Sequence, residues 1–441
     1  NSSAQNDNKQ KALDYYVSGE KLRETRHYKQ AAVAYTKALE LDPTNKKYMF
    51  NKCLCFYSAQ KYKTAIPCFE KITELDPNHS ASYEMIANTY KLLNEPDKAI
   101  ATLETAFEKA AADDLGSKFV YQFQIVDVLF REGKVKEAGE HIQIAQGILP
   151  GTDDMTHLQA RYENTLGHYD KALVLMTPII ENLYGDEGEG YAKYYFELGF
   201  SLRKLGRHTE ADSILEKAKY GYFTDNVAEL TAEHYVEVAN SYYRIYEFDV
   251  ANNLLDTALA INSELESAYK LKEKMEPVSL LDEIEEEDPE TGEKTMIKVP
   301  KTARINKELL RTKDAKRRAD LFKRLCVLYI KEGNYEDAIT AANECLAITP
   351  RNTLIIFYRG IAHFKLENTE EAESTLYDLS NSPRVNPEVR LMCYFGLAII
   401  QSRTKQYSLA RLNLKKSAIK SFKGASDHEL RLINLAEMAE E

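Results

Sequence analysis

The chain has 441 residues, a hydrophobic share of 44%, and few glycines (18) or prolines (12). That length exceeds what one hydrophobic core usually serves, and the composition argues against a strand-and-turn fold and against long disordered tracts. A net charge of −11 excludes a general nucleic-acid binder, which needs a net basic surface. No run of 18 apolar residues occurs, so no transmembrane helix is expected, and any membrane association would run through a partner.

The opening stretch, 1–11, is polar and reads as a disordered tail. Its start at Asn1 rather than Met fits a removed signal peptide and equally a sequence trimmed at its start; the first gives a periplasmic or envelope location as the expectation, with the cytoplasm as the alternative. The six cysteines do not form a secreted disulfide framework in a chain of this length, and their placement makes them core residues, which speaks mildly against an oxidising compartment and leaves the location open.

The dominant pattern is an internal repeat. Tyr28, Ala31, Tyr35, Ala38 and Pro43 recur 34 residues later as Tyr62, Ala65, Phe69, Ile72 and Pro77. A third copy follows with Tyr83, Ala87, Tyr90, Ala99, Leu103 and Ala106. Small residues at Ala31, Ala65 and Ala99 let two antiparallel helices approach, and the closing proline cannot continue the second helix. The small residue recurs as Ala138, Ala172, Ala211, Ala251, Ala338, Ala372 and Ala410. Ten units result, near 12–45, 46–79, 80–113, 119–152, 153–186, 192–225, 232–265, 319–352, 353–386 and 391–424.

These residues resemble the tetratricopeptide-repeat (TPR) family. The resemblance implies an all-α fold, a right-handed superhelix (α-solenoid) of about ten helix-turn-helix repeats. The Lys-, Asn- and Tyr-rich composition and the non-Met start resemble bacterial envelope TPR proteins.

The pattern breaks once. After repeat 7 a further helix is expected over Glu266–Met275, closing an N-terminal array at 12–276. Asp282 to Glu293 then carries eight acidic residues and no basic one, whereas Lys294 to Arg318 carries ten basic residues and two acidic ones. Pro277, Pro289 and Pro300 prevent a long helix, and Thr291-Gly292 suggests a turn of a short hairpin with Thr295-Met296-Ile297. Residues 277–303 therefore read as an insertion, either a solvated linker or a docking segment, followed by a C-terminal array at 304–441. The far end closes with a capping helix: Ser426-Asp427-His428-Glu429 has capping-box spacing before Leu430, Leu432, Ile433, Leu435 and Met438.

No motif for chemistry is found. Cys53, Cys55 and Cys68 have no second pair at metal-ligand spacing, and Cys53, Cys326 and Cys345 take small core positions. His141 and His157 lack partners at ligand spacing. No HExxH, GxSxG, Walker or GxGxxG motif occurs, so no enzyme, cofactor or metal is expected.

In the TPR family the first helix of each repeat lines a concave binding surface. Carried onto this chain, those positions include Tyr16, Phe50, Tyr57, Asn88, Lys91, Phe123, Phe130, Arg161, Phe196, Phe200, Arg203, Asn240, Tyr243 and Arg244. In the second array they include Lys323, Phe357, Phe364, Phe395 and Arg403. Aromatics and arginines are enriched among binding hot spots, so these positions are read as a groove for a protein or peptide segment. The heat-shock-chaperone carboxylate clamp is not expected. In repeats 1 to 3 its places hold Tyr16, Glu20, Asn51, Ala81 and Met85, of which Asn51 alone fits. In repeats 8 to 10 they hold Lys323, Val327, Tyr358, Met392 and Phe395, of which Lys323 alone fits. The resulting expectation is a protein-interaction scaffold or adaptor. A regulatory peptide receptor and a self-associating structural protein are the alternatives.

Overall fold

The computed structural model describes residues 2–276, 280–287 and 294–440. Among them, ten helix pairs follow one another. The first five are α1 (Ser2–Glu24) with α2 (Tyr28–Leu41), α3 (Lys46–Ser58) with α4 (Tyr62–Leu75), α5 (Ser80–Leu92) with α6 (Pro96–Lys109), α7 (Leu115–Arg131) with α8 (Val135–Ile148), and α9 (Asp153–Thr165) with α10 (Tyr169–Asn182). Next come α11 (Ala192–Lys204) with α12 (His208–Glu216), and α13 (Phe223–Arg244) with α14 (Phe248–Ile261). Helix α15 (Glu266–Met275), strands β1 (Leu281–Glu287) and β2 (Lys294–Pro300), and helix α16 (Lys301–Arg311) interrupt the series. It resumes with α17 (Ala315–Glu332) and α18 (Tyr335–Ile348), α19 (Thr353–Lys365) and α20 (Thr369–Asn381), and α21 (Pro387–Arg403) and α22 (Tyr407–Ser417). A 3-10 turn at Lys420–Phe422 leads into the last helix, α23 (Lys423–Glu440).

The local rules are visible in each pair. All ten recurring alanines, from Ala31 to Ala410, are completely buried between the paired helices. The turn inside each pair carries one residue of positive φ: Arg26, Gln60, Asn94, Gly133, Gly167, Gly206, Tyr246, Gly333, Glu367 and Lys405. One left-handed residue ends the first helix and starts the second in a new direction, and only four of the ten positions use the glycine that does this without strain. First helices are capped from their side chains: Asn45, Asp114, Thr152, Asn352 and Asn386 each accept a backbone N–H in the following turn.

The chain packs as two units, residues 1–186 with 193–201, and residues 187–192 with 202–441. In unit 1 the core is a series of local clusters, one per stacked repeat or two. Gly19 shows why small residues are needed there, since a Cβ would lie 2.6 Å from the ring of Tyr35. Two expectations are corrected here. Helix α1 already begins at Ser2, where a disordered tail was expected. Cys53 and Cys68, expected only to pack, form a disulfide between α3 and α4, with their Cα atoms 5.5 Å apart. Cys55, Cys326, Cys345 and Cys393 are free and buried. Burial pushes the thiols of Cys326 and Cys393 up to about 12.

In unit 2 a single core runs from Ala232 to Ile433. The charged segment lies within this unit, and repeats on both sides of it share that core. β1 and β2 pair antiparallel with Ile284 opposite Ile297. The acidic strand faces the basic one, with Lys298 3.7 Å from Glu283 and Lys294 3.5 Å from Glu285. The expected Thr291-Gly292 turn lies outside the described residues.

Candidate partner-binding face

In unit 1 the first helices α1, α3, α5, α7 and α9 stack in order, so positions 34 residues apart become neighbours. Tyr16 is buried; it stacks on Tyr48 at 4.9 Å and its hydroxyl accepts a hydrogen bond from Asn51 at 3.1 Å. Phe50 is half-buried beside Phe69 and His79, each at 5.4 Å, and Tyr57 lies edge-on to Tyr62. Asn88 and Lys91 are half-buried on α5. Burial pushes the Lys91 ammonium below its usual range, against the pull of Asp127.

The next two repeats carry a continuous chain of contacts. Phe123 stacks toward His157 at 6.3 Å, and His157 meets Tyr194 edge-on at 5.6 Å. Arg161 sits over the ring of Phe130 at 4.9 Å and pairs with Asp127 at 3.0 Å. Phe196 and Phe200 continue the row on α11, 6.3 Å from each other, with Phe200 edge-on to Tyr169. Below them, buried Asn164 donates to the Glu197 carboxylate at 2.9 Å and accepts from Ser201 at 2.8 Å. Burial raises the Glu197 carboxyl, opposed by the Asn164 hydrogen bond. His157 is fully enclosed. Burial, reinforced by Lys193 and Arg161, holds its pKa down to about 3, so the ring is neutral.

The family positions alone did not single out Asp127, His157 and Asn164. Asp127 and His157 were legible from the 34-residue offset, since Asp127 precedes Arg161 and Phe123 precedes His157 by one repeat length; no such offset marks Asn164 with Ser201. Together they make a face of half-buried rings with one fixed ion pair. Such a face can take apolar side chains against the rings and polar backbone or charge at Arg161 and Lys91.

Unit 2 places its equivalent residues differently, because the chain folds onto its own first-helix positions. Glu247, at the turn between α13 and α14, is buried and pairs with Lys365 at 2.7 Å and with Arg403. The Arg403 guanidinium also covers Phe364 at 5.0 Å. Tyr242 meets Phe395 at 5.2 Å and donates to the Glu429 carboxylate at 2.7 Å. Arg244 binds Glu388 at 2.6 Å, donates to Ser421 Oγ at 2.9 Å, and covers Phe422. Tyr243 lies beside Phe248, with Lys331 over its ring. Phe357 and Phe395 are completely buried, and Lys323 is half-buried on α17. Asn240 is exposed, and Arg203 is buried against Asp212 at 2.6 Å. Phe357, Phe395 and Arg203 are thus sealed inside the unit, Tyr243, Arg244, Lys323 and Phe364 are half-buried like Phe123 and Phe130 of unit 1, and Tyr243, Arg244, Phe364 and Arg403 carry contacts with other segments of unit 2.

Among the described residues, no group of three or more His, Cys, Asp or Glu could hold a metal ion, and no helix is long and apolar enough to cross a membrane.

Comparison with known proteins agrees with the repeat geometry. Residues 192–220 and 325–352 match the family described as tetratricopeptide repeat, and residues 24–106 match the family described as anaphase-promoting complex, cyclosome, subunit 3. The TPR repeat-containing protein YpiA of Bacillus subtilis is 25% identical over 207 residues, 47% of this chain and 46% of that protein. The chain thus spans less than half the length of that relative. Among solved structures, the TPR domain of P58(IPK) is 14% identical over 90% of this chain and 98% of its own, with a TM-score of 0.25. Pseudomonas aeruginosa PilF is 15% identical over 48% and 92%, with a TM-score of 0.37. Residues 192–220 and 325–352 thus carry the tetratricopeptide repeat, a fold that in general supports protein–protein interaction.

Proposed function

We propose that this protein is a non-enzymatic scaffold or adaptor that holds one segment of a partner protein along the first-helix face of unit 1. The observation that carries the reading is the row from Phe50 and Tyr57 through Phe123, Phe130 and Arg161 to Phe196 and Phe200, half-buried rather than sealed into the core. Solvation does not favour so many rings on one face, and aromatic and arginine anchors are the usual binding determinants. The occupant is a segment with apolar side chains at regular spacing, helical or extended.

The Cys53–Cys68 disulfide supports an oxidising compartment, in keeping with the periplasmic or envelope expectation. The test uses full-length protein and a partner recovered by crosslinking in native cells. Phe196→Asp with Phe200→Asp is expected to weaken capture at least tenfold, because burying a carboxylate against apolar side chains costs more than 1.4 kcal/mol. Unchanged affinity would remove this face from the account.

A further inference from the structure

The stretch from Lys301 to Arg324, which forms α16 and the first part of α17, carries ten basic and three acidic residues in a chain whose net charge is −11. We propose that the outer side of α16 and the start of α17 dock on the surface of an anionic lipid bilayer. Unit 1 and its partner face play no part in this contact.

Helix α16 is held from one side. Thr302, Ile305 and Leu309 are buried, and Arg318 ties the helix to α17 by donating to the Leu309 and Thr312 carbonyls at 3.2 and 3.3 Å. The opposite side shows Arg304, Lys307, Leu310 and Arg311, all exposed and at the spacing that puts them in one stripe. Exposed Lys313 and Lys316 continue the cations into α17, and Lys323 and Arg324 follow two turns later.

The carboxylates around this stripe are few and mostly engaged. Glu308 pairs with Arg317 at 2.6 Å, and Asp282 of β1 pairs with Arg304 at 2.9 Å. Asp314 caps α17 by accepting the Arg317 backbone N–H at 2.7 Å. Glu283 and Glu285 face Lys298 and Lys294 within the hairpin. Exposed Asp320 is the one acid of the stretch left unengaged among the described residues. Against it stand Lys307, Arg311, Lys313, Lys316, Lys323 and Arg324, none with an ion-pair partner among the described residues.

Two observations favour a bilayer over other anionic surfaces. Leu310 lies within the stripe and is 89% exposed, although its neighbour Leu309 is buried. A bare leucine among cations gains most from a surface whose charge is outermost and whose interior is apolar, the order in which a bilayer presents them. The phosphate backbone of a nucleic acid has no such interior. Beside the stripe, a cavity of about 350 Å³ brings Lys323 and Arg324 together with apolar Ile305, Val327 and Leu328, and Asp282 is its one carboxylate. That combination suits a headgroup phosphate and the first carbons of its chain. The rest of the chain carries the negative excess, so the same membrane repels it and a single orientation results.

The experiment measures co-sedimentation of the full chain with vesicles of phosphatidylcholine and phosphatidylglycerol in a two-to-one ratio, against vesicles of phosphatidylcholine alone. Binding to the anionic vesicles is expected, with release at high salt because the exposed cations are screened. A basic residue beside such a surface raises binding about fivefold, so Lys307→Glu with Arg311→Glu should weaken it at least about 25-fold. Leu310→Ser should weaken it about fivefold at unchanged charge. Lys63→Glu with Lys71→Glu, both exposed on α4, alters the net charge equally and should leave binding unchanged. Should the Lys307 and Arg311 variant misfold by circular dichroism, Leu310→Ser and the salt dependence still decide. No binding to the phosphatidylglycerol vesicles, equal binding to both vesicle types, indifference to salt, full affinity in Leu310→Ser, or an equal loss from the α4 reversal would each overturn the proposal. Capture of poly-glutamate or duplex DNA in place of the anionic vesicles would overturn it as well.

Discussion

Replacing Glu247 with glutamine keeps the shape of a side chain that is 4% exposed while removing its charge. The carboxylate lies 2.7 Å from Lys365, whose side chain is 18% exposed, and it also pairs with Arg403, which is 48% exposed. At the effective dielectric of partly buried pairs, a charge pair at such separations is worth about 4 kcal/mol in gross terms. The Arg403 contribution falls to about 1 kcal/mol or less because water screens it. Glutamine also escapes the carboxylate's desolvation penalty, which offsets part of the Lys365 term. The net loss is about 2 kcal/mol, and for a unit of this size that lowers the melting temperature by ~4–8 °C. Differential scanning calorimetry of the full chain should show the shift in one of its transitions. Because the pair is mostly buried, high salt should recover little of it. A change below about 1 °C would refute the reasoning that this acid ties repeats 7, 9 and 10 together.

Acid should destabilise the fold through its enclosed histidines. His157, His208 and His234 have folded pKa values of about 3, about 4 and about 2, below the unfolded value of 6.5. Their contribution is complete above pH 6.5 and is lost as pH falls from there toward the folded values, because the unfolded chain binds the protons first. Each group then costs up to ~1.4 kcal/mol per pH unit, and His157→Leu should flatten the pH dependence of urea midpoints between pH 6.5 and 4. Gly19→Ala should destabilise by roughly 1–2 kcal/mol, since the clash with Tyr35 outweighs the gain in helix propensity. Gly147→Ala, on an exposed face of α8 with no atom within 4 Å of the new Cβ, should stabilise by about 0.5 kcal/mol. Cys53→Ala with Cys68→Ala should lower stability by roughly 2–3 kcal/mol, the entropy of a loop this short, and thiol counting on the unfolded wild type should find four free cysteines rather than six.

The helix pairs were legible because a TPR repeat is a local object. Ala31, Ala65 and Ala99 at equal offsets state which helices pack, and no distant residue is needed to interpret them. The same offset contained the Phe123–His157 and Asp127–Arg161 neighbours. It also contained a hint of the disulfide: Cys53 takes the place of Gly19, and Cys68 takes that of Ala34, two positions that face each other across a pair. The contacts of unit 2 were not legible. Glu247 with Arg403, or Tyr242 with Glu429, join residues more than 150 positions apart, and no periodicity announces such partners. Family positions such as Phe364 and Arg403 therefore look identical in sequence whether they face a partner or the chain's own Glu247. The hairpin was half-visible: the charge segregation of 282–318 fits an acidic strand opposite a basic one, and the observed register sets Ile284 opposite Ile297 and Glu283 opposite Lys298.

The central claim is that unit 1 presents its first-helix face to a partner while unit 2 uses the equivalent positions internally. A photo-crosslinking residue placed at Phe123 or Phe130, and in parallel at Tyr243 or Phe364, tests it in the full chain in native cells. The account predicts one discrete intermolecular adduct from the unit 1 positions and only intrachain adducts from the unit 2 positions. Intermolecular adducts from Tyr243 or Phe364, with none from Phe123 or Phe130, would contradict it.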